Sequence, residues 1–230
     1  MQNNKKYTTV YFDLDDTLLD FKAAEHDAIE KLLSLHNLPS NDSLIAEYSA
    51  INQSWWERFE KGEIKREQIF SGRFRDFIER FEFTADPEKM ATDYFNLLSQ
   101  GHNVMNGAED VLKHLKGNGY IICITTNGIA FTQHRRIKEC GLQKYFDYVF
   151  ISEEVGFQKP DKRYFEAVMN NSPEKDKSKI LVIGDSQSSD ILGGINMGLD
   201  TCWLNTHNKT ATYIPTYEIK KITEILHILQ

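Results

Sequence analysis

The stretch that most constrains this chain is Thr8-Thr9-Val10-Tyr11-Phe12, which runs straight into Asp13-Leu14-Asp15-Asp16-Thr17. A β-branched and aromatic run without regular polar alternation fits a strand buried in a sheet. Its stop at Asp13, Asp15 and Asp16 delivers carboxylates to the C-terminal edge of that sheet, where open α/β folds bind ligands. Carboxylates set side by side repel unless a cation or a shared proton relieves them, so the crowding predicts a metal site or an acid–base pair. A plain acidic turn is the competing reading, and it loses ground because the later chain supplies partners for a phosphate site.

With 230 residues and 40% apolar content, the chain can bury either one large α/β domain or a core with a smaller cap. A net charge of -7 and a pI near 5.5 argue against a nucleic-acid polymer or an anionic membrane surface as partner. The densest basic cluster, His134-Arg135-Arg136, reads as a solvated helix face. Cys123, Cys140 and Cys202 are scattered and in no metal-ligand spacing, as expected of reduced residues in a cytoplasmic protein. The N-terminus enters the first strand without an apolar signal segment, and no run reaches transmembrane length. These features lead us to expect a cytoplasmic protein acting on a small molecule, as a monomer or a homodimer.

After the first strand the pattern turns helical. Apolar positions at Ala28, Ile29, Leu32, Leu33 and Leu35 predict a helix over 22–35. A second helix, capped by Ser40 or Asn41, runs through Trp55 until Gly62 breaks it, and a third fits 66–81. Asp86-Pro87 is an N-cap with proline at the first helical position, opening a fourth helix that Gly101 closes. From Gly107 onward helix and strand alternate: helix 108–116, strand 120–125, helix 132–140, strand 148–152, helix 163–169, strand 180–183, helix 191–197, strand 201–204 and a final amphipathic helix over 218–229. Alternation with apolar strands predicts a doubly wound, parallel, Rossmann-like sheet. The first strand has no crossover partner nearby, so it joins this sheet and the helical block becomes an insertion. The expected division is a core of residues 1–20 and 102–230 and an all-helical cap of residues 21–101, with segments 19–22 and 99–107 as hinges.

Three later stretches place polar groups where a strand ends or a helix opens. Thr125-Thr126-Asn127-Gly128 closes an apolar strand with hydroxyls and an amide suited to phosphate oxygens, although the same residues make ordinary turns. Lys159 stands before Pro160 on a loop entering a helix, and only its company distinguishes it from a solvated lysine. Ile180 to Ile183 runs into Gly184-Asp185 and then Asp190, hard oxygen ligands of the kind Mg2+ takes, with Asp190 alternatively a helix cap.

Taken in order, Asp13-x-Asp15-x-Thr17, Thr126, Lys159-Pro160, and Gly184-Asp185 with Asp190 resemble the motifs of the haloacid dehalogenase (HAD) superfamily in its phosphatase branch. The helical insertion after the first motif resembles the C1-capped subgroup. Within it, the 55–69 segment and Thr126-Asn127-Gly128 are similar to the YjjG/YfnB-like 5′-nucleotidases. The resemblance implies a phosphomonoester hydrolase with Mg2+ as cofactor and an aspartyl-phosphate intermediate, acting on a small phosphometabolite such as a pyrimidine nucleoside 5′-monophosphate. It makes Asp13 the nucleophile and Asp15 the general acid and base. Thr126 and Asn127 would bind phosphate, and Lys159 would stabilise both the nucleophile and the transferred group. Metal would be held by Asp13, the backbone carbonyl of Asp15, and Asp185, with Asp190 in support. Thr17 would orient the loop; Asp16, where many relatives carry glycine, is given no role. A metal-independent 2-haloacid dehalogenase, a phosphomutase of the same fold, and a phospho-accepting signalling switch stay open as alternatives. Trp55, Trp56 and Phe59 could stack on a base, against the plainer reading that they pack the cap; Phe21 and Lys22 are further substrate candidates.

Overall fold

The computed structural model describes residues 6–229. They divide into two compact units, one formed by the chain up to Asp20 together with the chain from Asn103 on, the other by Phe21–His102.

The first unit is built on a parallel sheet of six strands among the described residues: β1 (Thr9–Phe12), β2 (Ile121–Thr126), β3 (Tyr148–Ile151), β4 (Ile180–Gly184), β5 (Asp200–Leu204) and β6 (Tyr217–Ile219). Their order is β3-β2-β1-β4-β5-β6. The chain winds outward from β1 to one edge and then returns to build the other, so the crevice beside β1 is the switch point of a doubly wound sheet. Register places Phe12 level with Ile124 on β2 and Ile183 on β4, which sets Asp13 one residue beyond both neighbours' apolar ends. Val10 and Phe12 go to one core, with Val111, Leu112, Leu115, Ile137 and Ile225, while Tyr11 goes to the opposite core, with Tyr164, Phe165, Val168 and Val182. Burial on both faces is why β1 reads as a continuous apolar run.

The second unit holds four helices, α1 (Phe21–Leu35), α2 (Asp42–Glu60), α3 (Arg66–Phe81) and α4 (Pro87–Leu98). Asn41 caps α2 by accepting from Leu44 N at 3.0 Å, and Asp86 caps α4 by accepting from Glu88 N at 2.9 Å. Ala28, Ile29, Leu32 and Leu33 of α1 meet Tyr48, Phe74, Phe77, Met90 and Tyr94 from the other three helices. The packing reading holds for the aromatic candidates. Phe59 is buried with Ile64 and Ile69, and Trp55 and Trp56 lie against that cluster. A Cβ on Gly72 would sit 2.4 Å from the Trp55 ring, so the absent side chain makes the indole's bed, and Trp55 Nε1 donates to Asp76 at 2.8 Å.

The remaining helices belong to the first unit: α5 (Ala108–Gly117), α6 (Ala130–Glu139), the single turn α7 (Ser152–Val155), α8 (Lys162–Asn171), α9 (Leu192–Met197) and α10 (Ile225–Ile228). The final helix expected over 218–229 is corrected. Tyr217 and Ile219 alternate about exposed Glu218 and pair with Cys202 and Leu204 of β5, making a short edge strand. The helical spacing survives only from Ile222 on, as a 3-10 turn and then α10. The helix expected over 191–197 is likewise preceded by a π-helical turn over Gln187–Ile191.

Candidate active site

The C-terminal edge of the sheet gathers the polar ends of β1, β2 and β4. Asp13 N donates to Ile183 O at 2.8 Å, extending the ladder by one residue and holding Asp13 against the Gly184-Asp185 turn. Asp13, Asp185 and Asp190 each offer a carboxylate oxygen within 4.8 Å of the others. Gly184 permits that approach, since a Cβ there would lie 2.1 Å from Asp190 Oδ2. Trp203 Nε1 donates to the Asp185 carbonyl at 2.8 Å and fixes the turn from β5.

Lys159 lies between these acids with only 1% of its side chain exposed. Its ammonium donates to Asp13 Oδ1 at 2.7 Å, Asp190 Oδ1 at 2.6 Å and Thr125 O at 2.8 Å, so all three hydrogens are used. Asn127 positions the lysine's backbone: its amide donates to Lys159 O and its carbonyl accepts from Lys159 N, both at 2.9 Å. The Asn127 carboxamide thus faces the lysine's main chain. Asp190 Oδ2 accepts from Ser186 N at 3.1 Å, so Asp190 braces both the lysine and the turn after β4. The N-cap of that turn is Ser186, whose side chain accepts from Ser189 N.

Electrostatics follow from this crowding. Burial, helped by Asp190 and Asp15 and opposed by Lys159, pushes the Asp13 carboxyl up to about 8. Burial and then the charges of Asp13 and Asp190 hold the Asp185 carboxyl well above the ordinary carboxylate range. Burial works against the charge on Lys159, but Asp13 and Asp190 outweigh it and hold the ammonium above its ordinary value. A single buried ammonium among three clustered carboxylates leaves excess negative charge, which a second, hard cation would neutralise. The all-oxygen donor set of Asp13, Asp185 and Asp190 therefore fits Mg2+.

Asp15 lies apart from this cluster, in other company. Its Oδ2 accepts from Gln133 Nε2 at 2.6 Å, and its Oδ1 accepts from the guanidinium of Arg136. Gln133 Nε2 also donates to Thr126 Oγ1 at 2.8 Å. Asp16 takes φ +54°, the left-handed region, which accounts for glycine or aspartate being at home there. Thr17 is fully buried, and its hydroxyl has no hydrogen-bond partner among the described residues.

Two site residues escaped the sequence reading. The solvated-face assignment of 134–136 is corrected for Arg136, which is fully buried, while His134 and Arg135 stay on the outside of α6. The available signal was spacing: Gln133 and Arg136 recur with Thr132 and Ile137 on one buried face, so polar groups there needed partners inside.

This fold and these carboxylates define the class: the chain belongs to the haloacid dehalogenase-like hydrolases, whose family model matches residues 7–198, and is an enzyme of that family. Its particular kinship is narrower. It is 40% identical over 227 residues to the HAD hydrolase YfnB of Bacillus subtilis, covering 98% of this chain and 96% of that protein. It is 33% identical to the pyrimidine 5′-nucleotidase YjjG of Escherichia coli, covering 97% and 98% of the two chains. The pyrimidine 5′-nucleotidase PynA of Streptococcus pneumoniae is 36% identical, with 97% and 95% covered. A crystal structure of B. subtilis YfnB, described as bound to magnesium and as revealing interdomain movement, superposes with a TM-score of 0.93 over 98% of this chain and 100% of that one. No helix among the described residues is long and apolar enough to cross a membrane.

Proposed function

We propose that the chain is a Mg2+-dependent phosphomonoester hydrolase that works through an aspartyl-phosphate, with pyrimidine nucleoside 5′-monophosphates as its substrate class. The observation that carries the reading is the division of environments between Asp13 and Asp15. Asp13 is bound to a buried ammonium beside two more carboxylates, whereas Asp15 is held by an amide and a guanidinium, both on α6. Two carboxylates whose surroundings separate them in this way suit two roles. The activity named for YjjG and PynA supplies the substrate class.

Asp13 attacks phosphorus, forming a bond from its carboxylate oxygen as the ester P–O bond breaks. Asp15 passes a proton to the departing alkoxide, so the alcohol leaves neutral. The resulting Asp15 carboxylate then takes a proton from the water that attacks the aspartyl-phosphate, which restores Asp13 and releases inorganic phosphate. Lys159 balances charge on Asp13 and on the transferred group, and the Thr126 hydroxyl donates to a phosphoryl oxygen. Mg2+, held by Asp13, Asp185 and the Asp15 backbone carbonyl with Asp190 bracing them, would supply the charge neutralisation that lets a carboxylate approach a phosphate dianion. Asn127 serves phosphate binding by fixing the backbone of Lys159. The three unpaired cysteine thiols support a cytoplasmic setting.

Phosphate release from dUMP, dTMP and UMP, ranked by kcat/KM against sugar phosphates and phosphoglycolate with and without EDTA, tests the reading. Pyrimidine nucleotides should lead and EDTA should abolish turnover. A leading sugar phosphate would refute the substrate class, and undiminished release in EDTA would refute the metal. Chloride release from a haloacid in EDTA would instead favour the dehalogenase alternative.

A further inference from the structure

We propose that Gln133 and Arg136 are positioning residues that together aim the carboxyl of Asp15 at the leaving group and the hydroxyl of Thr126 at the phosphoryl group. The inference rests on the reading of Asp15 as proton donor given above.

The two side chains divide the Asp15 carboxylate between them, Gln133 on Oδ2 at 2.6 Å and the Arg136 guanidinium on Oδ1. With one donor on each oxygen, both the χ1 and the χ2 rotation of Asp15 are fixed. Gln133 is itself held, since its Oε1 accepts from Arg136 Nη1 at 3.1 Å. That contact also settles which end of the amide faces Asp15: reversed, a carbonyl would oppose a carboxylate and an amine would oppose a guanidinium. Both side chains are buried, Gln133 at 1% and Arg136 at 0% exposure, so the donor groups of these bonds are shielded from water. They stand on α6, which Ile137 anchors in the core, so the aim is set by a rigid element rather than by the loop that carries Asp15.

The second hydrogen of the Gln133 amide goes to Thr126 Oγ1 at 2.8 Å. Gly128 N also donates to that oxygen, at 3.1 Å. Two donors fill the two acceptor positions of a hydroxyl, which leaves the Thr126 O–H to act as a donor. One amide therefore sets the direction of two groups, one on the loop after β1 and the other at the end of β2, and Gly128 makes room for it: a Cβ there would come within 2.3 Å of Gln133 Nε2.

A misaimed proton donor matters only when the leaving group needs the proton. p-Nitrophenolate leaves well unaided, whereas the alkoxide of a nucleoside monophosphate does not. General acid catalysis is worth about 10² to 10⁴ in rate, so losing the aim should cost Arg136→Met about tenfold or more in kcat/KM on UMP and less than about threefold on p-nitrophenyl phosphate, whereas Gln133→Leu, which also releases the Thr126 hydroxyl, should lose on both substrates and about tenfold more on UMP. Arg136→Lys, which keeps a cation but loses the planar fork, should fall between parent and Arg136→Met on UMP, and it keeps the test readable if Arg136→Met does not fold. Asp15→Asn is measured in parallel and should show the same split, only larger. Equal losses on both substrates, or no loss, in the α6 variants while Asp15→Asn splits would overturn the positioning role and leave the donor reading standing. No split in Asp15→Asn would refute the donor reading and the positioning role with it.

Discussion

Asp13 and Asp15 are two residues apart on one short loop, yet their side chains end in different networks. Asp13 is 7% exposed among charges, and its carboxyl is raised to about 8, above its value in the unfolded chain. Between those two values the folded protein binds more protons at Asp13 than the unfolded chain does, so stability falls as pH rises. The contribution is complete at low pH and is lost as pH climbs through about 8. Thermal unfolding in EDTA should therefore show a melting temperature that declines from pH 5 toward pH 9, and Asp13→Asn should flatten that decline while abolishing turnover. Retained turnover in Asp13→Asn would dispose of the nucleophile. Lys159 tests the other half of the pair. Lys159→Met leaves Asp13 and Asp190 buried without their ammonium, and breaking a buried pair in this way costs about 3–5 kcal/mol. Chemical denaturation should show that loss and initial rates should collapse; a variant as stable and as fast as the parent would contradict the assignment.

At the scale of elements, β1 and β4 were legible because both are buried on two faces and end abruptly in polar residues. The order Gly184-Asp185 also marked a strand end with hard oxygen ligands, but not that Gly184 is required by Asp190 packing against it. Gly184→Ala would drive a methyl to within 2.1 Å of Asp190 Oδ2. The carboxylate must then leave Lys159 or Ser186, and overpacking of this kind costs about 1–3 kcal/mol. We expect a melting temperature several degrees lower and a larger fractional loss of kcat than of KM; an unchanged kcat would show that Asp190 is dispensable as a brace. Elsewhere local pattern misled. Residues 217–219 carry the alternation of a strand, but three residues are too few to outweigh the helical spacing that follows, and pairing with β5 decides the matter. On α6, Arg136 looked like its neighbours His134 and Arg135, and burial of one of three basic residues depends on what lies opposite, here Asp15 from a distant part of the chain.

Across the molecule, the chain forms one unit of sheet and helices and a second of helices, each with its own apolar clusters. The excess of carboxylates at the sheet edge gives a prediction at this scale. A cation that binds the folded site and not the unfolded chain stabilises by mass action, about 2.7 kcal/mol at a hundredfold excess over Kd. Mg2+ should raise the melting temperature, and the gain should be greater at pH 8 than at pH 5, because binding requires Asp13 and Asp185 without their protons. A gain that is absent, or the same at both pH values, would place the metal elsewhere. The sequence by itself determined the strand–helix alternation, the helical insertion after β1, and which acidic and hydroxyl residues stand at strand ends and which lysine stands where a helix opens, because hydrophobic periodicity and turn chemistry are local. Only the tertiary structure decided that Asn127 fixes Lys159, that Asp190 braces rather than caps, and that Gln133 and Arg136 reach Asp15. Those pairings join residues 31 to 121 positions apart, and no local pattern encodes which buried donor will find which acceptor across a sheet.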